Sequence, residues 1–222
     1  SQLKLKRIKV VLRPAIAVLF PNKKDQGTLF LDLGANSDSK PEFLNQFATM
    51  GSKYMEIFLN KKNPKVALLN IGEEETKGNE LTRETYSLLK QNKDIDFQGN
   101  IESTKIMDGE VDVVVTDGYT GNVLLKTSEG VGKFIFHVVK ESVMESWISK
   151  IGALLMKGAI KKVKKKTEAS EYGGAIFLGL SELSLKAHGN SDSRAIMNAL
   201  KVASKFIELN FIEELRKTME VE

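Results

Sequence analysis

The chain has 222 residues, 33 of them Lys or Arg and 29 Asp or Glu, for a formal net charge of +4. It contains no cysteine, which excludes disulfides, thiolate nucleophiles and cysteine-held metals and fits a cytosolic setting. A hydrophobic share of 41% supports the core of one large domain, and no apolar run is long enough to cross a bilayer.

Residues 1–13 are basic and lack a cap, so they read as the tail of a helix. Residues 15–20 predict a buried strand, closed by Pro21 and a polar turn through Gly27. A second strand is expected at 29–33, ending at Gly34-Ala-Asn36. Pro41 suits the first turn of a helix running to about Asn60. Residues 65–71 predict a third strand, followed by a helix from about Asn79 to Asn92. Then come a short strand at 95–97, a short helix at 101–107 and a strong central strand at 111–115. Two helices are expected at 122–147 and 149–166, then a turn at 171–174. Strands at 175–178 and 184–187 follow, and one long helix closes the chain from about Ser191 to Met219. Strands alternating with helices at this rhythm argue for βαβ units, a mainly parallel sheet and a single α/β domain over 1–222. Parallel strands buried on both faces do not stand at an open edge, so more of the sheet is expected before Ser1.

Two passages run from an apolar strand through a glycine-rich turn into a helix, a place where free backbone N–H groups accept an anion. In the first, Lys77 precedes Gly78 and Asn79. A lysine there places a flexible point charge on a phosphate oxygen while helix N–H groups take the others. The plainer alternative is a solvated surface lysine, and Glu73, Glu74 and Glu75 argue against a strongly electropositive pocket. In the second, Asp117-Gly-Tyr-Thr-Gly-Asn122 follows the central strand. A carboxamide at the carboxyl end of a parallel strand can donate to an oxyanion. Alternatively, Thr120 or Asn122 caps the helix, and Asp117 orients a lysine or makes an Asx turn.

Asn36, in Asp32-Leu-Gly-Ala-Asn36, repeats this logic at another strand end, with a plain turn as the alternative. His188 lies between a strand and a helix start, where it can bind an anion or protonate a leaving group. His137, inside an apolar run, is expected to be packing. Two histidines so far apart give no metal signature.

Residues 148–166 contain no acid. On a helix, Ile148, Ile151, Leu155, Ala159 and Val163 form one stripe, with Leu154 beside it. Lys150, Lys157, Lys161, Lys162, Lys164 and Lys165 line much of the rest, and Trp147 stands near the start. That is the profile of an interfacial helix on an anionic membrane. The alternatives are a core helix with a solvated face or a dock for an acidic carrier protein. Nucleic acid is disfavoured because aromatics do not interleave with the lysines.

Leu31-Asp-Leu-Gly-Ala-Asn36, Met50-Gly-Ser52, Leu69-Asn-Ile-Gly72, Lys77-Gly-Asn-Glu-Leu81, Thr116-Asp-Gly-Tyr-Thr-Gly-Asn-Val123, Glu171-Tyr-Gly-Gly-Ala175 and Lys186-Ala-His-Gly189 follow one another in this order. Together they resemble the bacterial phosphate acyltransferase (PlsX) family, from about Arg7 to Phe206. The resemblance implies a three-layer α/β/α sandwich like that of isocitrate and isopropylmalate dehydrogenases and a homodimer; no cofactor or metal is expected. It implies transfer of a fatty acyl group from acyl carrier protein to inorganic phosphate, the acyl phosphate then serving the membrane glycerol-3-phosphate acyltransferase. It implies a cytoplasmic protein peripherally bound to the inner face of the cell membrane, through residues such as Ile151, Leu154, Leu155, Lys157, Lys161 and Lys162. By the family's motifs, Lys77 and Asn122 face each other across the site. Asn36, Gly78, Asn79, Asp117, Gly121 and His188 are the neighbouring phosphate- or substrate-binding candidates.

Two further strings of the family, Asp-Ala-Met-Gly-Gly-Asp and Gly-Asn-Thr-Gly, are absent from this sequence. The resemblance therefore implies a chain lacking the family's N-terminal part and doubtful activity of this chain alone. Two alternatives are a short-chain phosphotransacetylase acting on acyl-CoA and an inactive membrane-associated scaffold. A nucleotide-dependent dehydrogenase is disfavoured, since no dinucleotide glycine fingerprint is present.

Overall fold

In chain order the elements are β1 (Ala15–Phe20), β2 (Thr28–Leu31), α1 (Pro41–Leu59), β3 (Lys65–Asn70), α2 (Glu80–Gln91), β4 (Asp96–Glu102) and β5 (Val113–Val115). They continue with α3 (Gly118–Met144), α4 (Trp147–Leu155), α5 (Lys157–Thr167), β6 (Ala175–Leu178), β7 (Leu185–Lys186), α6 (Ser193–Glu208) and α7 (Phe211–Glu220). The computed structural model describes residues 5–167, 174–187 and 192–220.

The strands form one sheet in the order β4-β3-β5-β2-β1-β6-β7. β2, β5, β3 and β4 run parallel as a continuous block. β1 is antiparallel to both β2 and β6, and β7 is antiparallel to β6. The sheet is therefore mixed rather than mainly parallel.

The central strands are apolar on both faces, as a sheet covered on both sides requires. Leu29, Leu31, Val66, Leu68, Val113 and Val115 point to one side. Phe30, Ala67, Leu69 and Val114 point to the other. The first side is closed by α1, α2, α6 and α7. α1 begins with Pro41 in its first turn, buries Leu44, Phe47, Met50 and Met55 along one stripe, and stops at Asn60 in the left-handed conformation. Tyr54 and Phe58 meet Phe206 and Phe211 in an aromatic cluster, with Phe58 stacked on Phe206 at 4.4 Å between centroids. Burial pushes the Tyr54 phenol well above its ordinary range. The second side is covered by Ile106, Met107 and Val111 and by Leu124 and Leu125 of α3.

Several boundaries differ from expectation. Residues 5–13 form no helix; Arg7 makes a single antiparallel bridge to Leu180. β4 takes up Ile101 and Glu102, so the short helix expected at 101–107 is a strand end followed by turns. α3 starts at Gly118, four residues before Asn122, because Asp117 caps it. The helix expected over 148–166 is two helices, interrupted at Met156. The closing helix is also two, broken where Asn210 turns left-handed at φ 49°. Ser191, where that helix was expected to begin, lies outside the described residues, and Asp192 caps α6 by accepting from Ala195 N–H.

The aromatic cluster joins α6 and α7 to the rest of the core. Phe206→Ala is expected to lower unfolding stability by about 3–5 kcal/mol, read as a shift in the midpoint of urea denaturation.

Candidate active site

The carboxyl ends of β3, β5 and β2 lie side by side along one rim of the sheet. The turns bearing the predicted residues leave from these ends. At the end of β2, the fully buried carboxylate of Asp32 accepts four hydrogen bonds. Oδ1 takes the N–H groups of Ile16 and Ala35, both at 2.9 Å. Oδ2 takes the N–H and the Nδ2 group of Asn36, both at 2.8 Å. Asn36 Nδ2 also donates to Pro14 O at 2.9 Å. One carboxylate thus joins β1, β2 and the loop ahead of α1. Asn36 is buried within this knot, and its amide protons are committed to the fold rather than offered to a substrate.

Helix α3 is seated on the same loop. Asp117 Oδ1 accepts from Thr120 N–H at 2.9 Å, which makes Asp117 the cap in place of Thr120 or Asn122. Gly118 and Gly121 allow a close approach. A Cβ at Gly118 would fall 2.2 Å from Asn36 O, and one at Gly121 1.9 Å from Asp32 O. Asn122 stands in the second turn, exposed, with its side chain against Gly34. No hydrogen bond engages its carboxamide among the described residues.

At the end of β3, residues 74–77 form a turn closed by Lys77 N–H donating to Glu74 O at 3.1 Å. Asn100 Nδ2 donates to the same carbonyl at 2.8 Å, and Asn70 Nδ2 donates to Lys77 O at 3.2 Å. Gly78 has φ +92°, with Asn70 and Thr82 side chains filling the place of a Cβ. Asn79 Oδ1 caps α2 by accepting from Thr82 N–H at 2.9 Å. The Lys77 side chain is half-exposed, its amine 3.9 Å from Glu74 Oε1.

The acidic run is locally neutralised. Glu73 pairs with Lys105, and Glu75 with Lys90 at 3.0 Å. The hydrogen bond that each of these two lysines donates to its glutamate, followed by that glutamate's charge, raises the lysine above its ordinary pKa. A raised lysine pKa means the pairing holds below the unfolded value and is lost only as strongly alkaline pH passes the folded one.

The rim therefore brings Lys77, Gly78 and Asn79 to a strand end adjacent to the one carrying Asp117, Gly121 and Asn122. The Asn122 carboxamide is left open, and the half-exposed Lys77 amine is held among the described residues only by its 3.9 Å ion pair with Glu74. Asn79 and Asp117 are helix caps, and Gly121 is a close-packing position. His188 lies outside the described residues; β7, the strand before it, runs opposite to β2 and ends at the other rim. His137 is exposed and lies 3.4 Å from Glu141, so it is not packing. Among the described residues no cluster of His, Asp and Glu could hold a metal ion. An open cavity of about 450 Å³ lies beside the start of β1 and α1, lined by Arg7, Leu12, Arg13 and Phe43. None of these was a predicted site residue.

The expected membrane residues are on the surface. Ile151, Leu154, Leu155, Lys157, Lys161 and Lys162 are exposed or nearly so, α4 buries no residue, and Trp147 and Leu155 are 71% and 83% exposed. Lys164 and Lys165 have no described side chains.

Sequence reasoning passed over Asp32 as an actor and missed Asn100. The signal for Asp32 was a lone carboxylate closing an otherwise apolar strand.

Among solved structures, the fold is similar to a phosphotransacetylase from Streptococcus pyogenes, with TM-score 0.60 and 16% identity over 94% of this chain and 57% of that one. A EutD phosphotransacetylase from Staphylococcus aureus gives TM-score 0.60 and 15% identity over 92% and 57%. Fold and rim define an α/β protein with the phosphotransacetylase fold. A family model described as fatty acid synthesis protein matches residues 1–214. The phosphate acyltransferase of Fusobacterium nucleatum subsp. nucleatum is 92% identical over all of this chain and 67% of its own length. The Clostridium perfringens (strain SM101) phosphate acyltransferase is 48% identical over 94% of this chain and 61% of its own. The chain belongs to this fatty acid synthesis protein family, that of the bacterial phosphate acyltransferases, and spans 61–67% of the length of these two relatives.

Gly121→Ala is expected to lower stability by about 1–3 kcal/mol through overpacking against the Asp32 carbonyl. Gly130→Ala, on the same helix with nothing within 4 Å, should be neutral or gain up to about 1 kcal/mol. Chemical denaturation of both variants checks the contrast.

Proposed function

We propose that this chain carries the acyl-transfer site of a phosphate acyltransferase, which moves a fatty acyl group from acyl carrier protein to inorganic phosphate for phospholipid synthesis. The observation that carries this reading is the pair of solvent-facing polar side chains, Lys77 in a loose 3.9 Å ion pair with Glu74 and Asn122 without a hydrogen bond among the described residues, on turns that leave adjacent strand ends. Family membership supports acyl transfer to phosphate.

In this mechanism Lys77 and turn N–H groups hold the phosphate dianion. A phosphate oxygen attacks the thioester carbonyl. Asn122 Nδ2 or a neighbouring N–H donates to the tetrahedral oxyanion. The intermediate collapses with a new C–O bond to phosphate and loss of the C–S bond, and the thiolate leaves and takes a proton from solvent. Holding both reactants together supplies much of the acceleration. Asn36 belongs to the scaffold of this site rather than to its binding surface.

The finer attributes follow the same reading. The three-layer sandwich related to isocitrate and isopropylmalate dehydrogenases is consistent with helices on both faces of the sheet. Exposed Phe134, Ile135, Val138 and Val139 on α3 support a homodimer. Trp147, Ile148, Ile151, Leu154 and Leu155 beside Lys157, Lys161 and Lys162 support peripheral binding to an anionic membrane. Among the described residues no helix is long and apolar enough to cross one.

Lys77→Ala and Asn122→Ala are each expected to reduce acyl phosphate formation by about 10²–10³-fold while leaving the melting temperature unchanged, since both side chains are exposed. Wild-type rates in either variant would remove that residue from the mechanism. Replacing Leu154, Leu155 and Trp147 together by Ser is expected to release the protein from anionic liposomes in flotation; retention would exclude this patch as the anchor.

A further inference from the structure

We infer that Asn100 is a positioning residue for Lys77, an assignment that rests on the phosphate-binding reading of that lysine. The evidence begins with the register of β4. Val66 stands opposite Phe97, yet Leu68 stands opposite Asn100, so β4 carries one extra residue between these pairs. Gly99, at φ +96°, accommodates it in a conformation that a side chain resists. Side chains alternate along a strand. Without the extra residue Asn100 would pair with Leu69 and face the α3 side; with it, Asn100 faces α2 and the 74–77 turn. Re-aiming a side chain beside a functional turn is a recurrent use of a β-bulge.

On that face Asn100 Nδ2 donates to Glu74 O at 2.8 Å, the same carbonyl that receives Lys77 N–H. Asn70 holds the other end of the turn through Lys77 O. Two carboxamides on neighbouring strands therefore clasp the turn from which the lysine side chain departs. The donated bond fixes which end of the Asn100 amide is nitrogen. It leaves Oδ1 buried without a partner. An orphaned buried acceptor is unfavourable, so packing alone does not account for an asparagine here. The flexible stem of a lysine delivers its charge to a defined point only if its backbone is fixed. The clasp supplies that fixity, and Glu74 Oε1 on the same turn lies 3.9 Å from the amine.

A double-variant cycle tests this. Inorganic phosphate binding is measured by calorimetry for the wild type, Lys77→Ala, Asn100→Ala and the double variant. Asn100→Ala is expected to weaken binding about tenfold or more, the scale of a partner that acts through another residue, and to add nothing in the Lys77→Ala background. Wild-type affinity in Asn100→Ala, or a loss that multiplies with that of Lys77→Ala, overturns the inference while leaving Lys77 in place. Wild-type affinity in Lys77→Ala instead overturns the reading of the lysine, and this inference with it. Asn100→Asp keeps the side-chain volume and removes the same donor, so a folding defect confined to the alanine variant does not decide the outcome.

Discussion

The buried carboxylate of Asp32 is the constraint on which the rest of the rim depends. A carboxylate out of contact with water is tolerated only when its lone pairs are filled. Here four N–H groups fill them, drawn from β1, the loop after β2 and the Asn36 side chain. The same contacts fix the height of the Asp32 and Asn36 carbonyls, on which Gly118 and Gly121 rest. The first turn of α3, and with it Asn122, is therefore placed by a charge that lies outside the proposed chemistry.

The two halves of the rim use different physics. The β2–β5 half is rigid because backbone packs directly on backbone. The β3 half is a surface turn held by side-chain amides and flanked by ion pairs in solvent. Exposed pairs of that kind contribute little stability. Their effect is to pair Glu73 with Lys105 and Glu75 with Lys90, so that of the three consecutive glutamates only Glu74, 3.9 Å away, is matched with Lys77 itself.

Much of the fold was legible because its signals are local. Apolar runs marked β1, β3 and the centre of the sheet, and Pro41 and Asn60 bracketed α1. The antiparallel pairing of β1 was not legible, since an apolar run does not state its direction. The breaks at Met156 and Asn210 carry no glycine or proline and were read through as continuous helix. Gly118 and Gly121 were read as turn residues, whereas they are helical and serve contact. In the site, residue type alone could not separate Asn36 from Asn122. Both are asparagines near strand ends, and only their partners distinguish a scaffold amide from an open one. Asn100 was invisible because its meaning lies in a register shift between strands about 30 residues apart in the chain.

That shift also changes what tolerance means along β4. Gln98 is exposed, with Nε2 donating only to Asp96 of its own strand, so its chemical identity is nearly free. Its presence as a spacer is not. Strand length, rather than composition, is the constrained quantity at the sheet's outer edge, and deleting one residue there would be far more disruptive than almost any replacement of the same exposed residue.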